Sequence, residues 1–374
     1  MPAFHIEHKE VRCNITKQEA IQDFQRLKSA KHLAQTLEEA GGLRPQWTCL
    51  ASGAPCPTPL GTFKQGNRAG LTFTMFLHWK LRLRAASVHR RSAATVLQEW
   101  KDGSVSIPRA MARMQCSAYE ALRLNSALQS VVHFRPSVAA ALSLMFEAKS
   151  CLDFSAGWGD RLTGFMAVPC VKKIDLIEPR KAARSAYERQ HRLAGSEARL
   201  RVFTGAAEDV LPTLTSRYDL ILTSPPYFNL EIYDTEYGEN RRMQVSERYV
   251  DCEGYLVHFL VPVALMSMSR LSSRGVLCVN ISDNARRGVV ICKPLLEECK
   301  RHMPSSMCVL GTFCYSMGVN PANRTARSTE DGKSCRNGEP IYVFCHKAHA
   351  STARRHIKTF LTRLEDSDTS SDND

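Results

Sequence analysis

The sequence predicts an α/β protein built on a doubly wound, largely parallel sheet, and three observations support that fold. Five short apolar runs bounded by turn residues read as buried strands: Cys151–Phe154, Ile174–Ile177, Leu200–Phe203, Leu220–Leu222 and Val276–Ile281. Helical patterns separate most of them, over Asp160–Ala167, Lys181–Leu193, about Glu253–Leu271 and Lys293–Arg301. Such alternation needs crossover connections, which make neighbouring strands parallel. Third, the first four runs each end in groups able to hold a ligand, on the edge where open α/β sheets bind theirs.

In chain order, Thr16 and Glu19 have capping-box spacing ahead of Ile21, Phe24, Leu27, Leu33 and Leu37, a helical pattern that runs to Gly41-Gly42. Residues Arg44–Gly70, rich in Pro and Gly, read as a loop. From Leu71, apolar residues alternate with Thr72, Thr74, His78, Lys80, Arg82 and Arg84, which predicts a strand with one buried and one basic face. The run is long for a single strand, so a bend or a helical half is the alternative. Ser106–Ser130 reads as a helix, and Phe134-Arg135-Pro136 opens another, with Pro136 in its first turn. The five-strand block follows. Two more strand-like runs, Cys308–Ser316 and Ile341–Cys345, then flank a polar loop, Asn320–Gly338. The division is therefore a basic N-terminal region of mixed α and β character (1–125), the α/β domain (126–347) and an acidic tail (348–374) read as disordered.

Composition narrows the partners. The 374 residues carry 50 Lys and Arg against 37 Asp and Glu, a net charge of +13, which favours a polyanionic partner. Lys80, Arg82, Arg84, Arg90 and Arg91 are the candidate phosphate contacts outside the α/β domain. Leu256–Met268, the longest apolar stretch, is broken by His258 and Pro262, so no membrane span is expected. Fourteen cysteines without regular spacing, and no visible secretory signal, predict reduced thiols and an intracellular (nuclear or cytoplasmic) protein. Zinc through Cys292, Cys299, His302 and Cys308 is the weaker alternative, because no Cys-x-x-Cys pair exists; no metal is expected.

The chemistry sits at the strand ends. The first run closes in Asp153-Phe154-Ser155-Ala156-Gly157-Trp158-Gly159-Asp160-Arg161, a tight turn where Gly157 and Gly159 let a ligand approach the backbone. A dinucleotide fingerprint needs a third glycine, and Leu162 stands in its place, which disfavours nicotinamide and flavin. Glu178 ends the second strand, where a carboxylate can accept both hydroxyls of a ribose; read blandly, it is a surface acid or a helix cap. Glu208 and Asp209 follow the third, and Thr223-Ser224-Pro225-Pro226-Tyr227 follows the fourth. Two prolines force a stiff, extended corner with carbonyls in fixed directions beside an aromatic face. That corner is a seat for a planar amine such as a nucleobase.

These segments, Asp153–Arg161 with Thr223–Tyr227, resemble the S-adenosylmethionine-dependent amino-methyltransferases, which methylate cytosine N4 or adenine N6. Phe134-Arg135-Pro136 resembles that family's helix-start motif, and Glu339–Phe344 its last, antiparallel strand, so that Asn125 to Lys347 is covered. The resemblance implies a Rossmann-like methyltransferase sheet and S-adenosyl-L-methionine as cofactor. Asp153, Gly157 and Gly159 would hold its methionine end, Glu178 its ribose, and Glu208 or Asp209 its adenine; Phe134, Pro136, Ser155 and Thr223 join that set. Ser224 and the Pro225 carbonyl would grip the target amine, Pro226 would stiffen the corner, and Tyr227 would stack on the base. A base inside a duplex cannot reach such a pocket, so flipping or a single strand is implied. Phe154-Ser155-Ala156 departs from the family pattern, and Ser at the corner's first position is commoner in cytosine-N4 enzymes. The expected partner is nucleic acid, with DNA placed ahead of RNA. RNA base methylation, of capped or structured transcripts included, is the alternative enzyme. A catalytically silent nucleic-acid binder is the alternative from another class.

Overall fold

The protein is described here by a computed structural model, covering residues 15–29, 33, 36–38, 58–63, 67–82, 85–87, 133–229, 231–233, 243–283, 288–316 and 338–369. Its strands are β1 (Leu37–Glu38), β2 (Pro59–Phe63), β3 (Ala86–Ser87), β4 (Ser150–Asp153), β5 (Lys173–Glu178) and β6 (Arg199–Thr204), then β7 (Tyr218–Thr223), β8 (Glu231–Ile232), β9 (Leu271–Asn280), β10 (Met307–Ser316) and β11 (Gly338–His346). The longer helices are α1 (Lys17–Leu27), α2 (Leu71–Arg82), α3 (Pro136–Met145), α4 (Asp160–Met166), α5 (Lys181–Ala194), α6 (Val261–Ser269), α7 (Cys292–His302) and α8 (Ala350–Thr369).

Nine strands form one sheet in the order β1-β2-β10-β11-β9-β7-β4-β5-β6. The run from β9 to β6 is parallel throughout, and β11 lies antiparallel between β9 and β10. This is the expected doubly wound, Rossmann-like sheet with its antiparallel last strand. Successive residues feed opposite layers, as a pleated strand requires. Leu220 and Leu222 enter one core with Val138, Phe165 and Tyr187, while Ile221 enters the other with Val263 and Leu295. Both faces are covered, which explains why these strands read as unbroken apolar runs.

Three expectations are corrected. Residues 71–82 form a helix, not a strand. Phe76 already breaks the alternation, and burial follows helical spacing at Phe73, Thr74, Leu77 and His78. The Asp23 carboxylate accepts the first backbone N–H groups, from Thr72 at 2.8 Å and Phe73 at 3.2 Å, a cap that comes from far away in sequence. The 44–70 stretch contains a strand, β2, whose Pro59 sits at the first position, where its missing N–H costs little. It pairs parallel with β10 and extends the sheet. The tail is not disordered through 369: Ala353, Ile357 and Phe360 recur at helical spacing and bury one face of α8, while Arg354 Nη2 donates to the Leu310 carbonyl at 2.7 Å.

The readings of Ser106–Ser130, of Arg84, Arg90 and Arg91, and of nearly all of Asn320–Gly338 lie outside the described residues. Cys252–Ser269 is continuous helix, long and apolar enough to span a membrane by length and composition. In this fold Tyr255, Phe259, Leu260 and Val263 from it pack into the second core. Among the described residues no three His, Cys, Asp or Glu side chains are grouped to hold a metal; Cys292 and Cys299 pack in that same core, and Cys308 faces Cys345 across two strands, 3.9 Å between sulfurs.

Candidate active site

Because β4 and β7 are paired parallel neighbours, the turn after one and the corner after the other emerge on the same edge. One cleft joins them. Its walls include Ser155 and Gly157 from the turn, Glu178 after β5, Glu208 after β6, and Ser224 and Tyr227 from the corner. Phe134, Pro225 and Pro226 also line it. Asp153, Gly159, Pro136, Thr223 and Asp209 do not.

Each absentee has a structural role or a different facing. Asp153 is fully buried below the turn, accepting from Ser155 N at 3.1 Å and Arg161 Nε at 2.7 Å. Burial pushes its carboxyl up against the lowering pull of Arg161. Gly159 has φ 75°, and a Cβ there would meet Gln190 Oε1 at 2.4 Å and His78 Nε2 at 2.8 Å, so packing on α5 and α2 demands glycine. Pro136 packs against Gly70, and Thr223 is fully buried in β7. Asp209 points outward into a two-point contact with Arg248, at 2.9 and 3.1 Å.

Glu178 and Glu208 are the acids that remain. Glu178 Oε1 accepts from Arg180 N at 3.2 Å and Arg180 Nε at 2.6 Å; Oε2 accepts from Gly157 N at 2.9 Å. Tyr187 Oη lies 3.4 Å from Oε2, but its single proton goes to the Gly157 carbonyl at 2.5 Å. One acceptor position on Oε2 is left for a ligand, not the two that a full diol contact needs. Glu208 Oε1 takes Tyr249 Oη at 2.6 Å, while its Oε2 is buried with no hydrogen-bond partner among the described residues. A buried unpaired carboxylate oxygen on a cleft wall is a waiting acceptor.

The corner is pinned from below. The Pro226 carbonyl accepts from Tyr255 Oη at 2.6 Å and from Phe228 N at 2.9 Å, a tight turn that places Phe228 at φ 51°. Tyr255 sits where the helix after Asp251 passes into a π-turn, Leu256–Leu260, a distortion frequent at functional sites. Tyr227 Oη donates to Glu339 Oε2 at 3.0 Å and lies 3.4 Å from Asn280 Oδ1. Because β11 runs antiparallel, its first residues arrive at the edge where β9 ends, which brings Glu339 beside Asn280 and into the cleft. Burial raises the Glu339 carboxyl, against the lowering effect of its bonds to Tyr227 and Asn280.

The cleft also holds residues the sequence reading did not assign. Arg161 and Arg180 line it, as do Trp158 and Tyr233, whose rings pack against each other with centroids 5.7 Å apart. Pairing of β3 with β8 carries Glu231 and Tyr233 over the cleft mouth. Arg82 is half-buried, with its guanidinium 5.3 Å from the Trp158 ring and its Nη1 3.3 Å from His133 Nδ1, whereas Lys80 is exposed. The overlooked signals were positional: Arg180 stands two residues past a strand-end acid, and Glu339 is the acid that opens an apolar strand.

No protein-family model and no curated protein matches the chain. Among solved structures it is similar to TrmN from Thermus thermophilus, at 14% identity over 56% of this chain and 48% of that one, with a TM-score of 0.35. It is similar to the O-methyltransferase TomG from Streptomyces achromogenes in complex with SAM, at 12% identity over 64% and 87%, with a TM-score of 0.36. It is also similar to NSun6 from Pyrococcus horikoshii with SFG, at 14% identity over 56% and 51%, with a TM-score of 0.35. The chain spans about half the length of the first and third of these.

Proposed function

We propose that the protein transfers a methyl group from S-adenosyl-L-methionine to the exocyclic amine of a nucleic-acid base. One observation carries the reading: the glycine turn of β4 and the proline corner of β7 open into a single cleft. The residues present fit the cofactor. Glu208 offers the unpaired Oε2 to an adenine amine, and Glu178 keeps one acceptor for a ribose hydroxyl. When bound, the cofactor supplies an electrophilic sulfonium methyl.

The chain's own residues supply the rest. With the Pro226 carbonyl committed to Tyr255 and Phe228, the acceptors left at the corner are Ser224 and the Pro225 carbonyl. Two acceptors on an aromatic amine's hydrogens pull its nitrogen toward a pyramidal form, freeing a lone pair otherwise delocalised into the ring. The Tyr227 ring, anchored through its hydroxyl, is the stacking platform. As the nitrogen forms its new bond to carbon it must lose a proton, and Glu339, a half-buried carboxyl of raised pKa in the same cleft, is suited to take it.

The serine that opens the corner puts cytosine in DNA first among the substrates to test, and the net charge of +13 supports a polyanion. The test is incubation with methyl-labelled cofactor and single-stranded or mismatched DNA and RNA oligonucleotides, followed by mass spectrometry of the nucleosides. The proposal expects label on an exocyclic amine. Label on carbon or on ribose oxygen overturns the amine chemistry, and label confined to RNA moves the substrate from DNA to RNA.

A further inference from the structure

Arg161 and Arg180 make matching contacts from opposite sides of the glycine turn. Arg161 donates from Nε to Asp153 Oδ2 at 2.7 Å and from Nη2 to the Ser155 carbonyl at 2.5 Å. Arg180 donates from Nε to Glu178 Oε1 at 2.6 Å and from Nη2 to the Gly157 carbonyl at 2.7 Å. Each guanidinium lies against an aromatic ring, Arg161 at 5.3 Å from Phe134 and Arg180 at 4.3 Å from Trp158. Both side chains are buried, yet both line the cleft. These contacts use the inner edge of each fork, and a guanidinium has five donors. Among the described residues no hydrogen bond engages Nη1 of Arg161.

Position separates the two. The strand order β7-β4-β5-β6 lays out four stations along the edge: corner, glycine turn, Glu178 and Glu208. If Glu208 and Glu178 take the adenine and ribose, the station over β4 receives the amino-acid end, between the ribose and the corner. Arg180 stands at the ribose station, where the ligand is neutral and Glu178 already matches its charge. Arg161 stands at the amino-acid station. Beside it Asp160, also on the cleft wall, is paired with His133 Nδ1 at 2.9 Å. A donor fork next to a carboxylate is complementary to a zwitterion.

We propose that Arg161 is the anchor for the α-carboxylate of the cofactor's methionine end, with Asp160 facing its ammonium. This rests on the S-adenosylmethionine reading above. It gives Asp153 a different part from the one its motif implies: the acid touches no ligand and holds the arginine fork in register. Planarity and fixed donor geometry make arginine the residue for such a two-point grip.

Calorimetry on the full chain tests it, titrating S-adenosylmethionine and its decarboxylated analogue into the wild type, Arg161→Lys and Arg161→Met. The wild type should bind the carboxylate-bearing form at least ~10-fold more tightly, as a charge-assisted hydrogen bond allows. In Arg161→Met that preference should vanish through weaker binding of S-adenosylmethionine alone, and Arg161→Lys should keep part of it. Because Arg161→Met leaves Asp153 buried without its partner, Asp153→Asn/Arg161→Met is measured alongside, and the preference is a ratio within each protein. A wild type that binds both ligands equally, or an Arg161→Met protein that keeps the wild-type preference, overturns the anchor while sparing the cofactor assignment. A wild type that binds neither overturns both.

Discussion

The two halves of the cleft are made ready by different means. Over β4 and β5, carboxylates are matched by buried guanidinium groups and most of their acceptor positions are occupied. Over β6, Glu208 meets the partly exposed Arg248 and keeps Oε2 unpaired among the described residues. At the corner after β7 no ion pair is present among the described contacts. Rigidity there comes from two prolines, a carbonyl pinned by Tyr255, and a phenol tied to Glu339. The ionic half is built to hold a polar ligand in one pose with little free hydrogen-bonding capacity. The corner leaves the Pro225 carbonyl without a hydrogen bond among the described residues and sets the Ser224 hydroxyl beside it, in contact with Tyr227. Binding and chemistry should therefore separate by mutation, and each experiment below attacks that separation.

The largest effect is expected at the corner. Tyr227→Ala should lower methyl transfer by ~100-fold or more, comparable to losing one transition-state contact, with cofactor affinity unchanged by calorimetry. Equal losses in both would merge the halves. Next comes Glu178→Gln, which keeps the shape of the side chain but gives up a charged acceptor. It should weaken cofactor binding roughly tenfold and leave the rate at saturating cofactor near wild type; an unchanged dissociation constant would remove Glu178 from the ligand's contacts. Tyr255→Phe should be milder, because the Pro226 carbonyl still has Phe228 N. A loss of about 1 kcal/mol of positioning predicts a rate roughly fivefold lower with KM unmoved.

The fourth prediction concerns the support beneath the ionic half. His78 is fully buried against Gln190, at 2.8 Å, and burial pushes its pKa down to about 3. The unfolded chain, with an ordinary histidine value near 6.5, binds the proton that the folded form refuses. Stability contributed by neutral His78 is therefore complete above pH 6.5 and falls as the pH drops toward 3, by up to about 1.4 kcal/mol per unit. Melting temperatures of the wild type should fall more steeply over that window than those of His78→Gln. Parallel slopes would contradict the assignment.

The same contrast shows what could be read from the sequence. Strand ends were legible because burial on both faces writes β4, β5, β7 and most of β9 as apolar runs, and parallel topology puts their last residues on one edge. The corner was legible because Pro225 and Pro226 leave the backbone few options. The partners were not, since they depend on tertiary geometry. Nothing local says that Asp23 caps α2, so the alternation over 71–84 read as a strand. Nothing local brings Glu339 to Tyr227 across 112 residues; antiparallel insertion of β11 does that. Reading Glu178 as a double hydroxyl acceptor ignored Arg180, which fills one of its oxygens from two positions away. The tail was misread because its acidic end outweighed the spacing of Ala353, Ile357 and Phe360.

The central claim is that an amine held at Ser224 and Pro225 receives a methyl from a ligand seated over β4 to β6. Single-turnover transfer measured against cofactor concentration for Ser224→Ala tests it most directly. The account predicts a plateau rate at least ~100-fold below wild type, with the half-saturating concentration unchanged. A plateau equal to wild type, or a loss that more cofactor restores, would contradict it.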